Sequence, residues 1–214
     1  MATLVIGEQY AQAVQPATQS KMDYCGRHEY DFIIGRELDP SRPVPWSKIL
    51  LLKRVLPAYG AVFFSDADVI VANGEPGYNH SVEHIFGRFL VQDTHLVITQ
   101  DHDGHANTGN FLLKNHPWSL DLLRRIWNRT QFIHHPLWKQ QALEHLLETE
   151  HDVRKHTAVL PMEDYPLVSY PTHQKHKGPQ NGEFLIHLSN VRDVGRLGEL
   201  VRHHYRGLPT DAAK

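Results

Sequence analysis

The segment AVFFSDADVI, residues 61 to 70, narrows most what this chain can become. Residues 61–71 predict one strand, and its first four residues, Ala61 to Phe64, suit burial in a core. They run almost directly into Asp66 and Asp68. Carboxylates at the end of a core strand are costly unless a cation or a set of donors meets them. In open α/β sheets, ligands gather beyond the carboxyl ends of the strands. Residues two apart in an extended segment point the same way, so this spacing predicts two carboxylates turned toward one object. A hard divalent cation fits, with positions left for diphosphate oxygens and water.

The rest of the chain supplies a sheet for such a strand. Short apolar runs at 3–7, 30–35, 95–101, 109–115, 157–161 and 183–189 predict further strands. Residues 10–22 read as a helix broken at Pro16. Trp46, Ile49, Leu50, Val55 and Leu56 give 46–58 helical spacing. Pro117 suits a helix first turn, and Leu120, Leu123, Ile126 and Trp127 form a buried stripe behind it. Residues 137–150 predict one more helix. Prolines mark 39–45 as a loop, and 73–79 is rich in turn residues. Strands alternating with helices predict an α/β fold with a mixed, mostly parallel sheet, in one domain over 1–214.

Composition removes several classes of function. A formal net charge of −2 argues against nucleic acid as the main partner. A single cysteine, Cys25, leaves no disulfide framework and no cysteine zinc cluster. No run of about 18 apolar residues is present to span a membrane. The start of the chain lacks the basic region of a signal peptide. The expected setting is cytoplasmic, or that of a soluble domain excised from a longer protein. The 17 histidines are mostly scattered singly and are expected at the surface.

An apolar strand followed by Asp-x-Asp also fits a haloacid-dehalogenase-type phosphatase with Asp66 as nucleophile. Those enzymes carry the motif on their first strand and a late Gly-Asp pair. Here two strands precede it, and neither Gly-Asp nor Asp-Asp occurs.

Three further stretches bear on the choice: HEYDF with PWSKILLLKRVLPAYGAVFFSDADV (28–69), DHDGHANTGNFLLKNHPWSLDLLRRIW (101–127) and EFLIHLSNVR (183–192). Together they resemble glycosyltransferase family 34, most distinctively at Asn107 to Asn115 and the Trp-Ser-Leu-Asp-Leu-Leu run that follows. The resemblance implies a GT-A fold, a Rossmann-like nucleotide-binding half fused to an acceptor-binding half. It implies a nucleotide-diphosphate sugar donor, UDP-linked or GDP-linked, a glycan acceptor, a Mn²⁺ or Mg²⁺ ion, and retention of anomeric configuration.

The resemblance also implies roles for residues. Asp68 is expected to ligate the metal directly. Asp66 is expected to ligate it too, or to meet it through water, or to bind the donor ribose or sugar beside Ala67. His187 would complete the metal site, and Arg192 would stand near the donor phosphates. Asn107, Thr108 and Gly109 would lie against the donor sugar, with Gly109 allowing close backbone approach. Asp101 or Asp103 would bond sugar hydroxyls, and Gln140 would sit near the reacting face of the sugar. Val5, Gly7, Tyr30 and Lys48 would line the base or a phosphate; Tyr30 and Lys48 suit structural roles equally. Two departures stand out. Lys139 occupies a position where the family carries an aspartate, and Asn190-Val191 replaces a late Gly-Cys. A non-catalytic nucleotide-sugar-binding domain therefore stays open beside the transferase.

Overall fold

The computed structural model describes residues 1–72, 79–91, 93–162, 164–165, 167–172 and 184–206. The strands are β1 (Ala2–Leu4), β2 (Ile33–Gly35), β3 (Ala61–Ser65), β4 (Val69–Val71), β5 (Leu96–Gln100), β6 (Ala106–Lys114), β7 (Thr157–Leu160), β8 (Val168–Ser169) and β9 (Leu185–His187). The helices are α1 (Glu8–Ala13), α2 (Gln15–Arg27), α3 (Ser47–Val55), α4 (Val82–Phe86), α5 (Pro117–Trp127), α6 (Lys139–Thr149), α7 (His151–Lys155) and α8 (Val194–Arg206).

One six-stranded sheet has the order β2-β1-β3-β6-β5-β7, and a three-stranded sheet has the order β4-β9-β8. In the larger sheet only β6 runs against its neighbours, so the sheet is mixed and mostly parallel. Alternation along each strand builds a core on both faces. Val62 and Phe64 of β3 face Ile49 and Leu52 of α3, Leu122 and Ile126 of α5, and Leu143 of α6. Phe63 faces the other way, onto Val69 and Val71 of β4 and onto Phe86 and Phe184. Ile70 and Ile186 leave the small sheet on its far side and meet Val14, Ala17, Leu197 and Val201 of the α1–α2 and α8 layer. Each such fully buried side chain contributes roughly 1.5–3 kcal/mol.

Three local expectations change. The run 61–71 is not one strand: β3 and β4 belong to different sheets, and a turn at Asp66–Asp68, closed by Val69 N–H to Asp66 O at 3.2 Å, carries the chain between them. The helix expected over 10–22 breaks at Val14, not at Pro16; Pro16 lies in the first turn of α2, where its missing N–H costs nothing. The buried face of α5 is formed by Ser119, Leu122, Leu123 and Ile126, with Leu120 and Trp127 only partly covered. The turn-rich stretch 73–79 lies, apart from Asn79, outside the described residues.

Several histidines depart from the surface expectation. At the end of the large sheet away from the aspartates, His95 stacks on His116 at 3.9 Å and on His156 at 5.0 Å, and His95 is buried. Cys25 is buried too. Among the described residues, no helix is long and apolar enough to cross a membrane.

Candidate active site

The turn between the two sheets gathers the chemistry. Asp66 leaves β3 with its N–H bonded to Gly109 O of β6 at 2.8 Å. Asp68 enters β4, and its carbonyl accepts the Leu188 N–H at 3.1 Å, beside the register pair Val69–His187. One ligand atom each from Asp66, Asp68 and His187 lies within 4.8 Å of the other two. The carboxylates converge as expected, but through a tight turn and not through an extended segment.

Gly109 makes this convergence possible. A Cβ on residue 109 would stand 2.5 Å from His187 Cε1, 2.6 Å from Asn107 Oδ1 and 3.1 Å from Asp66 Oδ2. The missing side chain thus makes room for the site's own residues.

Lys48 crosses the core from α3, buried, with its Nζ 2.7 Å from Asp66 Oδ1 and donating to Thr108 O at 2.7 Å. Burial pushes the Asp66 carboxyl up, but Lys48, then Lys139 and His187, pull it further the other way. The net result is a carboxylate held below its ordinary range. Lys139, at the start of α6, is also buried; burial and the neighbouring Lys48 ammonium bring it down to about 7 against the pull of Asp66 and Asp68.

A second cluster adjoins the first. The Gln140 amide oxygen accepts from Thr108 N–H at 3.3 Å and from its hydroxyl at 3.4 Å, and the Gln140 amide nitrogen donates to Asp101 Oδ2 at 3.4 Å. Asp101 Oδ1 accepts the N–H groups of Asp103 and His105, both at 3.0 Å, which shapes the turn between β5 and β6. Gly104, at φ +84°, supplies the left-handed residue this turn needs. The Asp103 side chain is half exposed and pairs with His102. Asn107 Oδ1 accepts the Gly109 N–H at 2.7 Å.

The other expected residues are distributed unevenly. Val5 follows β1, and Gly7, at φ +88°, opens α1. Ala67 is buried in the turn itself. Arg192 is exposed between β9 and α8. Tyr30 has other partners: its hydroxyl donates to Glu83 and accepts the Val82 N–H at 3.1 Å, pinning the start of α4.

Two residues at the site went unnoticed in the sequence. Lys21 of α2 is fully buried and donates to Val69 O, with Ala67 O and Ala17 O each at 3.4 Å, so it grips the carbonyls of the aspartate turn from below. Tyr10 of α1 lies near enough to Asp68 and Asp66 for burial and their charges to push its hydroxyl upward. Neither carries a motif, and their contacts join segments some fifty positions apart.

Burial brings Lys21 down to about 7 from 10.5, against the pull of Asp68 and Asp66. Between those values the unfolded chain holds a proton that the folded chain lacks. The contribution of this group to stability therefore rises with pH across that window and falls as pH drops toward 7. Lys21→Met should destabilise more at about pH 10 than at about pH 7, by a difference on the order of a few kcal/mol. Urea unfolding of both proteins at each pH checks this; a pH-independent difference would refute it.

The strand order, the site at the end of β3 and the partly antiparallel centre define a GT-A fold. Solved structures agree. A glycosyltransferase involved in the glycosylation of the major capsid of PBCV-1 aligns over 94% of this chain and 98% of its own, with a TM-score of 0.65 at 14% identity. The galactosyltransferase LgtC, solved with donor and acceptor sugar analogs, aligns over 100% and 98%, with a TM-score of 0.57 at 13% identity.

Residues 79–196 match the model of the galactosyl transferase GMA12/MNN10 family, and the chain belongs to that family. An uncharacterized alpha-1,2-galactosyltransferase of Schizosaccharomyces pombe is 25% identical over 215 residues, covering 82% of this chain and 56% of the relative. A probable glycosyltransferase 2 of Oryza sativa is 30% identical over 118 residues, covering 50% and 23%. The chain thus spans about half the length of the yeast relative and about a quarter of the rice one. Family and fold together do not favour the phosphatase alternative.

Proposed function

We propose that this chain is a glycosyltransferase that moves a hexose or pentose from a nucleotide-diphosphate sugar to a glycan acceptor, depends on a divalent metal, and retains anomeric configuration. The observation that carries this reading is the convergence of Asp66, Asp68 and His187 at the end of β3. Two carboxylates suit Mn²⁺ or Mg²⁺, and the imidazole beside them favours Mn²⁺ of the two. His187 Nε2 stands 3.5 Å from Asp68 Oδ1, and among the described residues nothing bonds its buried Nδ1. Such an imidazole has a nitrogen to spare for coordination.

When bound, the ion supplies a Lewis acid against the charge that grows on the departing nucleoside diphosphate. The residues of the chain do the rest. Lys48 and the Gly109 carbonyl hold Asp66 in place. The Thr108–Gln140–Asp101 hydrogen bonds orient the Gln140 amide beside the sugar, with Asn107 and Asp103 as further contacts. Arg192 offsets phosphate charge from its exposed position. Val5, Gly7 and Tyr30 are assigned to the base. No carboxylate is assigned as a covalent nucleophile, so the acceptor attacks from the face the diphosphate leaves, and a leaving phosphate oxygen takes its proton. The bases to compare are uridine and guanosine; the name of the yeast relative makes galactose the first sugar to try.

Asp68→Ala and His187→Ala should each weaken Mn²⁺-supported binding of UDP or GDP by about 10-fold or more, since each ligand lost from such a site costs at least about 1.4 kcal/mol. Calorimetric titration with Mn²⁺ and with chelator tests this. Unchanged affinity in both variants would remove the metal site from these residues.

A further inference from the structure

Lys139 has no role so far. Its side chain is more than nine-tenths buried, at 8% exposure, and reaches the site from the first turn of α6. It lines one small internal cavity with Lys48 and Thr108, whose other walls are apolar core, among them Ile98 and Phe111. Its ammonium lies beside that of Lys48 and within electrostatic reach of Asp66 and Asp68. Yet among the described residues no oxygen accepts a hydrogen bond from it, and no carboxylate forms an ion pair with it. Lys48, by contrast, has two acceptors of its own, Asp66 Oδ1 and Thr108 O.

Two ammonium groups side by side repel each other, and a buried cation without an acceptor is costly. Asp66 is already matched by Lys48. The second cation therefore stands ready for an anion that the chain does not itself provide. The carboxylates and the imidazole across the site are suited to a cation, so the group that would satisfy both sides carries negative oxygens able to face Lys139 and a metal at once. A diphosphate does so.

We propose that Lys139 donates to a phosphate oxygen of the donor diphosphate, so that the chain keeps measurable affinity for nucleoside diphosphate when no divalent ion is present. The proposal rests on the donor-binding reading above. It also gives the departure from the family's acidic residue a physical consequence: part of the charge that a metal neutralises is here neutralised by the protein.

The test is calorimetric titration of the full chain with UDP, GDP and inorganic pyrophosphate, each in EDTA and in Mn²⁺. The variants are Lys139→Gln and Lys139→Arg, with circular dichroism to establish that they fold. The wild type is expected to bind pyrophosphate and one nucleotide in EDTA. Lys139→Gln should lose about 10-fold or more of that metal-free affinity, as removal of a charge-assisted contact does, and a smaller factor in Mn²⁺. Lys139→Arg should restore most of it. Binding that appears only with Mn²⁺ would overturn this inference and leave the donor reading standing. So would a folded Lys139→Gln protein with wild-type affinity in EDTA. Absence of binding under every condition would overturn both.

Discussion

A methyl group added at residue 109 should weaken metal-supported donor binding by about 100-fold while leaving the chain folded. Gly109→Ala places a carbon 2.5 Å from His187 Cε1 and 2.6 Å from Asn107 Oδ1, inside any contact that real atoms keep. Asn107 Oδ1 already accepts the Gly109 N–H, so it has little freedom to withdraw. His187 belongs to β9 and is buried at 4% exposure. It must turn away, and its nitrogen then no longer faces Asp68. Overpacking of this kind costs about 1–3 kcal/mol of stability. Loss of imidazole placement should lower Mn²⁺-supported nucleotide affinity by about 100-fold, because a displaced ligand and its disturbed neighbours act together. Thermal unfolding and calorimetry of the same preparation separate the two effects. A Gly109→Ala protein that binds as the wild type does would show that residue 109 leaves room for nothing the site needs.

The second large effect should follow removal of Lys48. The ammonium is 2% exposed and meets a carboxylate that keeps 27% exposure. Lys48→Met keeps an unbranched apolar side chain but removes the ammonium that stands over the Phe64 ring, and it leaves Asp66 and Thr108 O without their donor. Breaking a buried pair from one side costs about 3–5 kcal/mol, and the partial exposure of Asp66 places this case near or below the lower figure. The double variant Lys48→Met/Asp66→Asn should recover much of the stability and none of the metal binding. Urea unfolding of the two single variants and the double variant measures the coupling; strictly additive losses would mean that the pair does not stabilise the fold.

What the sequence disclosed divides along a physical line. Contiguous patterns were legible. The apolar lead into Asp66 marked the core strand and the place where the candidate ligands converge, Pro117 marked the start of α5, and the stretch from Asn107 to Asn115 pointed to the family. Contacts closed by the fold were not. Lys48 meets Asp66 from 18 positions upstream, and Lys21 grips Val69 from 48 positions away; no spacing rule announces either. The passage of the chain from β3 into a second sheet was hidden because Val69, Ile70 and Val71 continue the apolar character of Ala61 to Phe64. Tyr30 was expected beside the base, and no motif signalled that its hydroxyl also meets Glu83 and Val82 at the start of α4. Lys139 was visible as a departure from a pattern, and only the structure showed that its charge lies beside another lysine.

The passage between sheets has a mechanical side. Asp66 is anchored to the six-stranded sheet through Gly109, whereas Asp68 and His187 are carried by the three-stranded one. Apolar contacts of Phe63 with Val69 and Val71 also join the two sheets here, and such contacts set no direction. An ion held by all three side chains would act as a rivet through both plates. A slide of one sheet over the other would then have to stretch bonds of fixed length.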